Sequence, residues 1–165
     1  FCMMPGATVG MALATFVSQN KGANQKERIK KALKYAYIYD VVMAAIVTII
    51  ILLFGSSLVK LISGSSESVV LDNGTLYLTI VGPFYAVLGV LMQTRYALQG
   101  LGQKLLPLIS SIIEFVGKII FVFIFIPQFQ YMAVIFCEPV IWCVMCIQLV
   151  YSLYTNPYMR GIKED

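Results

Sequence analysis

Apolar residues run almost unbroken through five stretches of the chain, at 2–18, 36–62, 76–98, 105–126 and 132–154, with short polar connections between them. The runs are continuous rather than alternating, which excludes the strands of a membrane barrel, whose lipid and lumen faces take turns along the chain. At about 20 residues per crossing, each of the last four is long enough to span a bilayer as a helix. The first lies near the lower limit of roughly 17. The pattern predicts an all-α membrane protein, a bundle of about five transmembrane helices over residues 1–155, followed by a short tail at 156–165. The chain opens on Phe1 with no basic stretch and no small-residue cleavage site, so the expectation is a start inside a helix rather than a signal peptide.

Prolines and glycines punctuate these runs. Pro5 with Gly6 and Gly10, the pair Gly82-Pro83, and Pro107 interrupt spans or their ends. The spacing of Gly6 and Gly10 allows close helix approach, and proline is tolerated where neighbouring helices satisfy the freed backbone. Packing explains all of them. Pro83 is in addition a candidate hinge.

Charge then sets the expected orientation. The first connection carries Lys21, Lys26, Arg28, Lys30, Lys31 and Lys34. The second, 63–74, carries Glu67 and Asp72, with Lys60 just before it. Arg95 and Lys104 flank the third, the fourth at 127–130 is uncharged, and the tail holds Arg160 and Lys163. Basic and non-basic connections alternate, as five crossings require, and the basic side is expected to be cytoplasmic, with the C-terminus. The same loop lysines suit anionic lipid headgroups. Asn73-Gly74-Thr75 matches a glycosylation sequon in the expected outward loop, close to the membrane surface.

Composition agrees with the pattern. At 59% hydrophobic, 12% charged and a mean hydropathy of +0.84, the chain has more apolar surface than a soluble core can hide. The net charge of +4 follows from the topology, and nothing else supports a nucleic-acid partner. There is no histidine, and Cys2, Cys137, Cys143 and Cys146 all lie in apolar runs, so no metal site or cofactor is expected and the cysteines read as packing residues. No phosphate loop or nucleophile elbow is present, and no enzyme activity is expected.

The candidate chemistry lies in ionisable residues within the spans, where each costs on the order of 2.5–3.5 kcal/mol on insertion scales. Glu114 and Lys118 stand four apart, the glutamate N-terminal, which is the favoured order for a helical ion pair. They are either a structural pair or a cation or proton site in which Lys118 competes for Glu114. Glu138 precedes Pro139, whose missing N–H frees a carbonyl; it is either a second cation ligand or an interfacial residue packed above Trp142. Asp40 and Arg95 are expected near cytoplasmic ends, Asp40 at the headgroup boundary or paired with Lys34 or Arg95, and Arg95 snorkelling.

The stretches Val17-Ser-Gln-Asn-Lys-Gly-Ala23 with Glu27-Arg-Ile-Lys-Lys31, Pro83-Phe-Tyr-Ala-Val-Leu-Gly89 continuing to Arg95-Tyr-Ala-Leu-Gln-Gly-Leu-Gly102, Ser110-Ser-Ile-Ile-Glu114 with Lys118, and Glu138-Pro-Val-Ile-Trp142 resemble the multidrug and toxic compound extrusion (MATE) family. The resemblance implies the end of the eighth through the twelfth helix of a transporter with two six-helix lobes. It implies an antiporter that exports organic, often cationic, compounds through a cavity between lobes in exchange for sodium or protons, without ATP. Its expected partners are the lipid bilayer, small organic substrates and an N-terminal lobe. One branch of the family carries a cation-binding aspartate in the tenth helix, but 76–98 contains no Asp or Glu. Glu114, Lys118 and Glu138 are then the cation candidates, with Arg95, Tyr85 and Trp142 as cavity or gating positions and Pro83 as hinge. A lipid-linked saccharide exporter and a non-transporting membrane scaffold are the alternatives.

Overall fold

A computed structural model describes residues 4–161. Phe1 and Cys2 at one end and Lys163 at the other lie outside the described residues. Helix α1 spans Met4–Gly22, α2 Lys26–Ser63, α3 Ser68–Val81, α4 Tyr85–Gly100, α5 Leu105–Ile120, α6 Ile126–Thr155 and the short α7 Pro157–Arg160. A 3-10 turn at Gly82–Phe84 joins α3 to α4 and a π turn at Phe121–Phe125 joins α5 to α6. The described residues contain helices and no strand, as the continuous apolar runs predict.

The chain crosses back and forth five times. The α1–α2 turn passes through Asn24 in the left-handed region (φ 53°), and the Gln25 N–H closes it onto the Asn20 carbonyl at 2.8 Å. Gly64 (φ 67°) caps α2 by donating to Lys60 at 3.0 Å; a left-handed cap of this kind favours glycine because no Cβ is present to clash. After α4, Gly102 (φ 80°) reverses the chain again.

Two boundaries differ from the sequence expectation. The outward loop predicted at 63–74 is only four residues, 64–67, because α3 begins at Ser68. Asn73 of the sequon is therefore helical rather than in a loop, Gly74 packs on Val59, and the Asn73 carbonyl accepts a 2.7 Å bond from the Tyr131 hydroxyl. The connection predicted at 127–130 is not a loop either: helical structure runs through it, and the backbone reverses at Gln130 alone (φ 49°, ψ −127°). Backbone hydrogen bonds are costly to leave unmade near lipid, so short reversals are favoured over open loops.

Close contacts fix the helix order. Gly6 of α1 meets Asp40 of α2, Gly55 of α2 meets Thr75 of α3, and Gly117 of α5 meets Ile141 of α6, all antiparallel pairs. Helices α1 and α4 run parallel: Gly10 faces Tyr96, and Gly100 faces the Ala14 carbonyl and Val17. The two glycines of Gly6-x-x-x-Gly10 thus serve different neighbours. The core lies toward the basic end, where Leu13, Val17, Ile29, Leu33, Leu98, Met145 and Leu149 of α1, α2, α4 and α6 are buried together. Large apolar side chains elsewhere face outward, Phe123 at 76% and Ile62 at 82% exposure, as lipid allows and water does not.

One end of the bundle collects the basic connections. Lys21 donates to the Leu101 carbonyl at 2.9 Å and lies 5.8 Å from the Tyr158 ring, tying the first turn, the third turn and the tail together. Asn156 caps α7, accepting from Tyr158 and Met159. Among the described residues Glu27 is the acid at this end; its bond to Lys30, with Lys26 and Lys31 nearby, holds its carboxyl below the usual range. The 64–67 turn and Gln130 lie at the opposite end. Single cysteines at exposed Ser66 and Lys104, in a background without the native cysteines, are expected to react with an impermeant maleimide from opposite faces of the membrane. Equal reaction of both from one face would break the five-crossing arrangement.

Candidate functional site

The hairpin of α5 and α6 assembles the first candidate site. Glu114 and Lys118 lie one turn apart on α5, and the reversal at Gln130 sets α6 antiparallel so that Glu138 faces Lys118. Lys118 Nζ stands 2.9 Å from Glu114 Oε1 and 3.2 Å from Glu138 Oε1. Gly117 makes this approach possible, since a Cβ there would sit 3.0 Å from Ile141. At 1.5 Å per residue, Glu114 lies about 14 Å and Lys118 about 20 Å along α5 from its basic end. That is well inside a hydrocarbon layer of about 30 Å. Glu138 thus pairs across the hairpin, because α6 turns over at a single residue and carries it beside Lys118.

One ammonium is shared by two carboxylates, which leaves the cluster with one negative charge. The three side chains are 34%, 43% and 30% exposed for Glu114, Lys118 and Glu138, so they lie on the surface of the bundle rather than in its core. The geometry gives Lys118 a carboxylate on either side, so it can move from one to the other without leaving the cluster.

Trp142 stands one turn beyond Glu138 on α6 and meets the Tyr85 ring of α4 at 6.2 Å between centroids. Tyr85 follows directly on the 3-10 turn that contains Pro83, so the helix break sets where this ring begins. Arg95 is not part of the cluster. Its Nη2 donates to Ser110 Oγ at 2.8 Å, joining α4 to α5 one turn closer to the basic end than Glu114.

Asp40 corrects the sequence expectation most clearly. It is not paired with Lys34 or Arg95; the ion pairs among the described residues join Lys30 to Glu27 and Lys118 to Glu114 and Glu138. Helix α2 begins at Lys26, ten residues before the predicted apolar run, so Asp40 lies about 21 Å along it, a little over a third of its length. It is 6% exposed, packed between Gly6 and Gly89, and its Oδ2 has no hydrogen-bond partner. One turn toward the basic end, the Tyr37 and Thr94 hydroxyls bond at 2.8 Å. A cavity of about 90 Å³ opens beside Asp40, lined by Pro5, Ala7, Met43, Ala44, Tyr85 and Met92 among others. The available signal is an acid inside the run 36–62 with glycines, Gly6 and Gly89, in two other apolar runs.

Comparisons with known proteins bear on this geometry. A family model described as MatE matches residues 1–124. The chain is 26% identical over 128 residues to a Thermotoga maritima protein named "Probable multidrug resistance protein NorM". That match covers 77% of the chain but 27% of the relative, so the chain spans about a quarter of the length of the curated relative it matches. No solved structure matches.

Proposed function

This chain belongs to the MatE transporter family, and from that premise we propose that it forms the C-terminal lobe, from the end of the eighth helix to the twelfth, of a secondary exporter. The exporter expels organic, often cationic, compounds in exchange for sodium or protons. It works in the cell membrane with an N-terminal lobe across the substrate cavity.

The observation that carries this reading is the Glu114–Lys118–Glu138 cluster. Three charges well inside a membrane-spanning bundle are costly unless they pair or serve a function. Pairing alone would need one acid; the second carboxylate leaves a net negative charge that attracts cations and gives Lys118 two places to go. The lipid-linked saccharide alternative is less well supported, since an anionic cargo needs several available basic groups, and with Lys118 held by two carboxylates Arg95 is left as a single cation within these helices. The basic end is cytoplasmic in this reading, by the usual excess of lysine and arginine on that side. A cysteine at Ser66 is then the one labelled from outside.

The test is efflux of a fluorescent organic cation from vesicles that contain the full natural polypeptide carrying this sequence, under imposed sodium or proton gradients. Wild type is expected to pump under one gradient, and Glu114→Gln, at equal membrane level, to lose most of the gradient-dependent rate. Gradient-driven efflux that survives the substitution unchanged would reduce Glu114 to a structural partner of Lys118.

A further inference from the structure

We infer that Asp40 forms a second binding site, separate from the Glu114–Lys118–Glu138 cluster, for a single exchangeable positive charge, either a sodium ion or a proton. Three observations converge on it. The carboxylate is more than nine-tenths buried at the junction of α1, α2 and α4, and its Oδ2 has no hydrogen-bond partner. Beside it, Gln93 is fully buried; its Nε2 donates to the Gly6 carbonyl at 3.0 Å and its Oε1 is likewise left without a donor. The cavity of about 90 Å³ adjoins the same carboxylate, well above the roughly 10–15 Å³ that one water needs.

The Gln93 side chain hydrogen-bonds Asp40, yet the carboxylate keeps one oxygen, Oδ2, without a donor, and a buried carboxylate met by a single neutral amide is costly. Among the described residues, the neighbouring elements offer no countercharge. Helix α1 presents Pro5, Gly6 and Ala7; α4 presents Tyr85, Gly89, Met92 and Gln93; α2 itself presents Met43, Ala44 and Val47. Tyr37, one turn away, is engaged with Thr94, and Arg95 with Ser110. A single positive charge neutralises the acid and meets its unpartnered oxygen. One carboxylate in apolar walls suits a monovalent cation rather than a divalent one, which gathers several oxygen ligands and more charge.

Glycine creates this place. A Cβ at Gly89 would sit 2.6 Å from the Asp40 Cβ, and one at Gly6 would lie 3.2 Å from Oδ1, so only glycine lets α1 and α4 close on the carboxylate. Occupancy therefore governs how tightly three helices pack. Tyr85 lines the cavity and meets Trp142, and it carries that change toward α6 and the charge cluster. The link to transport rests on the exporter reading; cation binding does not.

The experiment treats the full natural polypeptide, in detergent, with a hydrophobic carbodiimide, which modifies protonated carboxyls in apolar surroundings, and locates the modified peptide by mass spectrometry. Radioactive sodium binding is measured in parallel on wild type and Asp40→Asn. If the site takes sodium, sodium protects Asp40 from modification and Asp40→Asn loses one equivalent of bound ion. If it takes a proton, modification of Asp40 rises as pH falls, sodium has no effect, and sodium binding is the same in both proteins. Modification that ignores both pH and sodium, or no modification at any pH together with unchanged sodium binding in Asp40→Asn, overturns the inference. Labelling of the wild type needs no variant to fold, and neither readout depends on drug efflux.

Discussion

Gly100→Ala is expected to destabilise the bundle by about 1–2 kcal/mol, although alanine is the better helix former. The substitution recovers up to about 1 kcal/mol of helix propensity, less at the last residue of α4. Against that gain, the new Cβ would stand 2.5 Å from the Ala14 carbonyl oxygen and 2.9 Å from Val17 Cβ, and inserting one methyl into a close-packed contact costs roughly 1–3 kcal/mol. The obstacle is backbone, so α1 and α4 must move apart. Gly10→Ala meets a different obstacle, the ring of Tyr96, which is a side chain. The two substitutions should then respond differently to Tyr96→Ala: it rescues Gly10→Ala and does nothing for Gly100→Ala. Thermal unfolding in detergent checks this, and equal rescue of both would show that the α1–α4 spacing is not set at Gly100.

Lys118→Met is expected to lower the amount of folded protein in the membrane more than Glu114→Gln or Glu138→Gln does. Removing the lysine leaves two carboxylates facing each other with no cation between them; removing either glutamate leaves a simple ion pair. Each exposed pair is worth only about 1 kcal/mol or less once solvent screening is counted, and these groups are about a third exposed. The larger contribution is the added unpaired charge at membrane depth, on the order of 2.5–3.5 kcal/mol on insertion scales. Lys118→Met combined with Glu138→Gln should therefore recover much of the loss, an interaction that a double-mutant cycle reads directly. Strict additivity of the two substitutions in unfolding measurements would mean that Lys118 does not bridge the acids.

Much of this was legible in the chain itself. The helical class, the five crossings and the grouping of Lys21, Lys104 and Arg160 at one end follow from continuous apolar runs and the spacing of charge, because backbone groups in lipid must be satisfied within each segment. The pairing of Glu114 with Lys118 was also readable, since one helical turn fixes it. Glu138 was readable as a candidate but not as their partner: the reversal was expected at 127–130, but the register that brings Glu138 to Lys118 depends on the exact residue, Gln130, at which the backbone turns. Asp40 was misread for a related reason. Nearness along the chain pointed to Lys34, whereas the groups that close on Asp40, Gly6 and Gly89, come from other helices.

Sequence by itself thus determined the class, the number of crossings and the short-range contacts, because these depend on hydrophobic length and helical period along one segment. Only the tertiary structure decided that Lys118 serves two acids, that Tyr85 meets Trp142, and that Asp40 is closed in between Gly6 and Gly89 with an oxygen unmet. Each of these joins residues on different helices. Their distances follow from hairpin register and from how closely glycines let backbones approach, and both belong to the packed bundle rather than to any one segment of it.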